Sequence, residues 1–231
     1  MLPPLFPPAR RGLVVASLLL VVLGVAGLLL GLILQVAALR WICKPLASLG
    51  FVLLALRHGP PRGDAFRGAL LVALLLSLVG DVALLGRGQA AFLAGLSAFL
   101  LGHLAFCVAF TRLGVRWRHV VLVIFPLVQV AALVLEWLLP QVPPPLRGPV
   151  IGYVAVITLM VTLSGANRRP APTPLRFHLP IAAVIFYVSD LCVALDRFVD
   201  PQARYWLLGL PLYYLAQVLF ALCVRRPVSS G

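Results

Sequence analysis

The chain has 231 residues, of which 62% are hydrophobic and only 11% charged, and its mean hydropathy is +1.09. A soluble domain of that length needs far more polar surface, so a water-soluble fold is excluded. The net charge of +13 comes from arginines in short segments between apolar runs. That is the pattern that orients a membrane protein, not a nucleic-acid-binding face, so no nucleic-acid partner is expected.

Eight apolar segments follow one another, each near the length of about 20 residues that a membrane helix needs. Residues 1–12 form a proline-rich tail with Arg10 and Arg11. The first span, 13–34, is too long for a signal-peptide core and reads as a membrane helix. The second, 39–56, carries Lys44, the only lysine in the chain. The third, 66–86, contains Asp81, and the fourth, 91–110, contains His103. The fifth, 119–138, holds Gln129 and Glu136, and the sixth, 148–164, holds Thr158. Asp190 lies in the seventh, 178–195, and Tyr213, Tyr214 and Gln217 in the eighth, 205–224. Gly59-Pro60-Pro61, Pro143-Pro144-Pro145 and Pro170 to Pro174 break the pattern between spans.

These segments predict an all-α membrane protein, a bundle of eight transmembrane helices. Residues 13–224 would form one transmembrane domain between short tails at 1–12 and 225–231. Loops on one side collect thirteen basic residues and loops on the other collect six, Lys44 included. By the positive-inside rule both termini are cytoplasmic. Eighteen of the nineteen basic residues are arginine, and Ala, Leu, Gly and Pro are abundant. That usage fits a GC-rich bacterial genome and points to a multi-pass protein of a bacterial cytoplasmic (inner) membrane.

An ionised side chain inside a membrane helix costs at least about 2.5–3.5 kcal/mol, and such residues usually pair or do chemistry. Lys44, Asp81 and Asp190 each fall about five residues, roughly 7 Å, inside the same end of their spans. His103 and Gln217 lie nearer the midplane. All five are expected to line one cavity. Cys43, Cys107, Cys192 and Cys223 show neither disulfide nor zinc-ligand spacing and read as packing residues, so no metal is expected. Gln129 and Thr158 read as bonds to a neighbouring helix, Glu136 as an interfacial charge, and Asp196 and Asp200 as loop charges. His58, His119 and His178 carry no signal.

Spans four and eight share a pattern. Phe92, Gly95, Phe99 and His103 match Trp206, Gly209, Tyr213 and Gln217 at the same offsets. The span before each carries a buried aspartate. A parallel four-plus-four internal repeat about an axis along the membrane normal would place Asp81 and Asp190 in related positions. Lys44 has no counterpart in span six, so it would break the symmetry.

Two buried carboxyls with a cation beside one of them split into a proton donor and an ionised partner, the arrangement of acid–base enzymes. Asp81 and Asp190 are therefore the candidate catalytic pair, with Lys44 tuning one of them. His103, Tyr213, Tyr214 and Gln217 are candidates for substrate contact; hydrogen-bonded packing is an equal reading for His103, and helix-to-helix bonding is the plainer role for Tyr214 and Gln217. No Gly-x-Ser-x-Gly, His-Glu-x-x-His or P-loop motif is present.

Lys44-Pro45, Gly80-Asp81, the Phe92/Gly95/Phe99/His103 helix, Ser189-Asp190 and Tyr213-Tyr214-x-Ala216-Gln217 resemble the signature of the YhhN/TMEM86 family, the lysoplasmalogenases. The resemblance runs from span two to span eight. One departure is Phe106, where the family often has tyrosine. The resemblance implies hydrolysis of the vinyl ether bond of a lysophospholipid, lysoplasmalogen. The products would be a fatty aldehyde and glycerophosphoethanolamine or glycerophosphocholine. Asp81 and Asp190 would supply the acid and the carboxylate. No cofactor is expected, and membrane lipids are the expected surroundings, with no obligate protein partner.

Two other functions fit the same residues. A proton-coupled transporter would use the Lys–Asp cluster as an ion pathway. An intramembrane aspartic protease also uses two aspartates on different spans, but its Gly-x-Gly-Asp signature is absent, since the residues are Leu78-Val79-Gly80-Asp81.

Overall fold

The computed structural model describes residues 8–57, 64–166 and 173–224. The loop breakers at 59–61 and 170–172, His58, and the tails at 1–7 and 225–231 lie outside these. The described residues contain eight α-helices and no β-strand. They are α1 (Pro8–Ile33), α2 (Ala37–Leu56), α3 (Ala65–Ala83), α4 (Gly88–Arg112), α5 (Trp117–Leu138), α6 (Pro144–Gly165), α7 (Thr173–Phe198) and α8 (Trp206–Cys223). All eight are long and apolar enough to cross a membrane.

The ends show how local chemistry sets the elements. α6 begins at Pro144, four residues before the expected span, because a proline needs no N–H in the first helical turn. The prolines that interrupt the pattern therefore start the helix. α1 closes with Gln35 at a φ of 57° and a bond from Val36 N–H to Gly31 O, a left-handed helix end. α3 is capped by Asp64, whose side chain accepts from the N–H groups of Phe66 and Arg67.

The helices pack first as sequential hairpins. α1 lies along α2, α3 along α4, and α7 along α8. Small residues allow the approach: a Cβ on Gly24 would sit 2.8 Å from that of Ala47, and one on Gly50 would sit 2.9 Å from Ser17 O. Between hairpins α2 meets α3 and α8, while α6 meets α7 and α4. α5 lies at the edge against α6. Gln129 is exposed on α5 and Thr158 bonds Val154 O of its own helix, so neither forms the expected link to a neighbour.

Below the polar site, Phe106, Phe110, Phe186 and Phe220 make an aromatic core, with Phe106 and Phe220 centroids 4.4 Å apart. Phe106 contributes packing there. Buried Arg57, just beyond α2, donates to Ala221 O at 2.6 Å and Leu222 O at 2.7 Å. It thereby satisfies carbonyls in the last turn of α8 and ties the two helices together.

Candidate active site

Asp81 reaches the bundle interior from the last turns of α3, with only 2% of its side chain exposed. A lone carboxylate there would be costly, and its surroundings offset that cost. Lys44 Nζ of α2 lies 3.3 Å from Oδ1. Ser48, one turn along the same helix, donates to Oδ2 at 2.6 Å. Tyr213 of α8 donates to the same oxygen, also at 2.6 Å. Tyr214 turns away from the carboxylate; its hydroxyl donates to Lys44 O at 3.3 Å and lies 3.3 Å from Ser48 Oγ. Pro45 follows Lys44, so the carbonyl of Trp41 loses its usual helical partner beside this cluster.

Asp190 projects from α7 with 16% of its side chain exposed, so it is the more accessible of the two. It has one hydrogen-bond donor, the Tyr153 hydroxyl of α6, at 2.6 Å from Oδ2. His103 of α4 is buried behind it. The ring Nδ1 lies 2.7 Å from Phe99 O, and since a carbonyl only accepts, Nδ1 carries a proton. Nε2 lies 3.5 Å from Asp190 Oδ2 without hydrogen-bond geometry. Tyr153 and Phe186 flank the imidazole at 5.2 and 4.8 Å between centroids.

A cavity of about 650 Å³ brings the two carboxylates together. Lys44, Asp81, Tyr153, Asp190 and Tyr213 line it. One arm is apolar, formed by Leu96 of α4, Val134 and Leu138 of α5, and Val150, Val154 and Ile157 of α6. The other end reaches Arg40, Arg197 and Trp206. A volume of this size with a few convergent polar groups suits an amphiphilic small molecule.

Of the residues singled out in the sequence, Lys44, Asp81, Asp190 and Tyr213 line the cavity. His103, Tyr214 and Gln217 do not. His103 and Tyr214 support residues that do line it. The Gln217 amide is fully buried beside Tyr213, and neither of its atoms makes a contact of hydrogen-bond geometry. Asp196, expected in a loop, lies in the last turn of α7 and lines the cavity. Tyr153 and Ser48 were not legible as site residues. Each is an uncharged side chain in an apolar helix, and the one available signal was position, since Ser48 lies four residues after Lys44. Among the described residues no three His, Cys, Asp or Glu side chains converge as a metal site would need.

Eight apolar helices around one buried and one part-exposed carboxylate and an amphiphilic cavity define a multi-pass membrane protein with an intramembrane polar site. The YhhN family profile matches residues 39–224, and the chain belongs to that family. The chain is 29% identical over 196 residues to the Lysoplasmalogenase TMEM86A of Bos taurus, covering 81% of this chain and 79% of that protein. It is 30% identical over 193 residues to the Lysoplasmalogenase TMEM86A of Homo sapiens, with the same coverage. The Lysoplasmalogenase of Mycobacterium tuberculosis is 32% identical over 196 residues, covering 78% of this chain and 73% of that protein. No solved structure gives a significant match.

Proposed function

We propose that the protein is a lysoplasmalogenase, hydrolysing the vinyl ether bond of lysoplasmalogen to a fatty aldehyde and a glycerophospho-ethanolamine or -choline. The observation that carries this reading is the unequal pair of carboxylates at one amphiphilic cavity, in a chain whose relatives bear that name. Vinyl ether hydrolysis begins with proton transfer to the alkenyl carbon distal to the ether oxygen. This leaves an oxocarbenium ion. Water adds to the cationic carbon and loses a proton, and the hemiacetal collapses to aldehyde and the glycerol hydroxyl. The reaction consumes one water and requires an acid, a nearby anion and a base for the water proton.

Asp190 is the acid in this scheme. It is the more exposed carboxyl, it has a single donor in Tyr153, and His103 offers it an acceptor nitrogen. After giving up its proton it takes one from the attacking water. Asp81, with Lys44, Ser48 and Tyr213 around it, stays the anion and stabilises the cation. The alkenyl chain lies in the apolar arm between α4, α5 and α6.

The experiment is hydrolysis of lysoplasmenylethanolamine by purified protein in D₂O, with the aldehyde trapped at once by borohydride. Carbon protonation puts one deuterium on the carbon beside the carbonyl, read by mass spectrometry. Asp190→Asn and Asp81→Asn should each lower release by about 100- to 10,000-fold, the usual worth of an acid–base group. A folded wild-type protein that releases no aldehyde from either head group refutes the reading and favours proton-coupled transport through the same cluster.

We also infer the finer topology: both termini cytoplasmic in a bacterial inner membrane, with the cavity mouth at the opposite face. The arginine asymmetry supports this. Residues 13–224 act as one transmembrane catalytic domain between short tails, needing lipid but neither nucleic acid nor an obligate protein partner. We infer the four-plus-four repeat as well. Its support is paired packing: α2 against α3 and α8 on one side, α6 against α7 and α4 on the other. A Cβ on Gly95 would lie 3.4 Å from Gly80 O, and one on Gly209 would lie 3.6 Å from Ser189 O, each the carbonyl just before the aspartate. Tyr153 meets Asp190 from α6 as Lys44 meets Asp81 from α2, which supports a counterpart in span six.

A further inference from the structure

Two arginines close to the cavity take no part in the chemistry above. Arg40 lies one helical turn, about 6 Å, beyond Lys44 along α2. Arg87 immediately precedes α4, and its side chain does not cap that helix. With Lys44 they line a second pocket of about 280 Å³, closed by Leu28 and Leu32 of α1 and by Trp41. Arg40, Lys44, Leu84 and Leu210 line the main cavity too, so the two spaces share a wall.

The charges in this pocket are of one sign. No carboxylate lines it, and among the described residues neither Arg40 nor Arg87 has an ion-pair partner. Lys44 is held by Asp81. Two guanidinium groups left without an anion in a pocket that adjoins the carboxylate cavity fit a phosphate, which arginine binds through paired N–H groups.

We propose that this pocket is a phosphate subsite, in which Arg40 and Arg87 bind the head-group phosphate of the lysolipid. The assignment builds on the lysoplasmalogenase reading and adds where the rest of the substrate lies. In a lysoplasmalogen three glycerol carbons separate the ether oxygen from the phosphate ester. That spacing matches the single turn between Lys44, at the carboxylates, and Arg40. The vinyl ether then sits over Asp190 and Asp81, the chain runs into the apolar arm, and the phosphate points to the arginines. Because no carboxylate lines the pocket, the amine of the head group finds no charge partner there, and ethanolamine and choline lipids bind alike.

Binding without turnover tests this. The probes are 1-alkylglycerophosphoethanolamine, whose saturated ether cannot be hydrolysed this way, and 1-alkylglycerol, which lacks the phosphate. Inorganic phosphate alone forms a third arm. Wild-type protein in nanodiscs should bind the phospholipid about 10- to 100-fold more tightly than the alkylglycerol, the worth of charge-assisted bonds. Arg40→Gln and Arg87→Gln should each erase much of that difference and leave alkylglycerol binding unchanged. With the alkenyl substrate they should raise KM by a similar factor and leave kcat within about twofold.

Equal wild-type affinity for the two lipids overturns the subsite, and needs no variant to fold. Variants that lose both lipids equally overturn it as well. If inorganic phosphate raises the melting temperature of wild type but not of the variants, while phospholipid affinity is the same in all three, the pocket serves free phosphate and the lipid assignment fails. Phosphate-dependent lipid binding with no aldehyde from the alkenyl lipid would refute the ether hydrolase and keep the subsite. Aldehyde release with no phosphate dependence would do the reverse.

Discussion

Asp81 in α3 and Asp190 in α7 are reached in parallel ways, each met by a side chain from the preceding helix, yet their company differs. Asp81 is 2% exposed and is met by an ammonium and two hydroxyls. Asp190 is 16% exposed and has one tyrosine hydroxyl and an imidazole. Under the proposed repeat, one helical frame serves two tasks. One half holds a charge still, and the other leaves a carboxyl open to the cavity. The difference teaches that identical residues take their chemistry from their partners.

The comparison breaks first at the aspartates themselves. If the halves divide the work, Asp190→Asn and Asp81→Asn both lose turnover, but for different reasons. Asp190→Asn should retain wild-type stability, since its single hydrogen bond can be replaced by one to the amide. Asp81→Asn should lower stability as well, because it strands the Lys44 ammonium. Thermal melting beside aldehyde release separates the two. Equal melting temperatures for both variants would mean that Asp81 holds no structural charge pair.

Lys44→Met approaches the same pair from the other side. Removing one partner of a buried ion pair typically costs about 3–5 kcal/mol. The double variant Lys44→Met, Asp81→Asn should recover much of that loss, because no charge is then left unpaired. A Lys44→Met protein as stable as wild type would refute the buried pair.

The tyrosines sharpen the contrast. Tyr153→Phe removes the one donor that Asp190 has, whereas Tyr213→Phe removes one of several from Asp81. A bond to a charged group is worth about 1.5–3 kcal/mol. Tyr153→Phe should therefore cut kcat by about tenfold or more, and Tyr213→Phe by less. The opposite order would assign the proton to Asp81.

Much of this frame was legible in the sequence. Hydropathy gave eight spans within a few residues, and helical rise placed Lys44, Asp81 and Asp190 at one depth. Charge inside apolar helices is a loud signal. Tyr153 was not legible because its hydroxyl adds little to an apolar helix, and nothing local says which way it points. The same limit applied to Gln217, His103 and Tyr214, whose polarity was visible but not their direction. Pro144 misled about a boundary because proline both stops and starts helices.

Gln217 offers the smallest and most discriminating effect. It matches His103 of α4 in the sequence pattern, so the proposed repeat alone would give it a comparable role. The structure instead buries its amide fully beside Tyr213, outside the cavity lining and with no contact of hydrogen-bond geometry. A buried amide without bonds costs about 1–3 kcal/mol, and an apolar side chain of similar volume has no such penalty. Gln217→Met should therefore melt at or slightly above the wild-type temperature and keep KM and kcat within about twofold. The corresponding change at His103 should lower kcat, since that imidazole touches Asp190. If Gln217→Met loses activity while staying folded, the amide reaches the reacting groups after all, and the two halves of the bundle are more alike than their aspartates suggest.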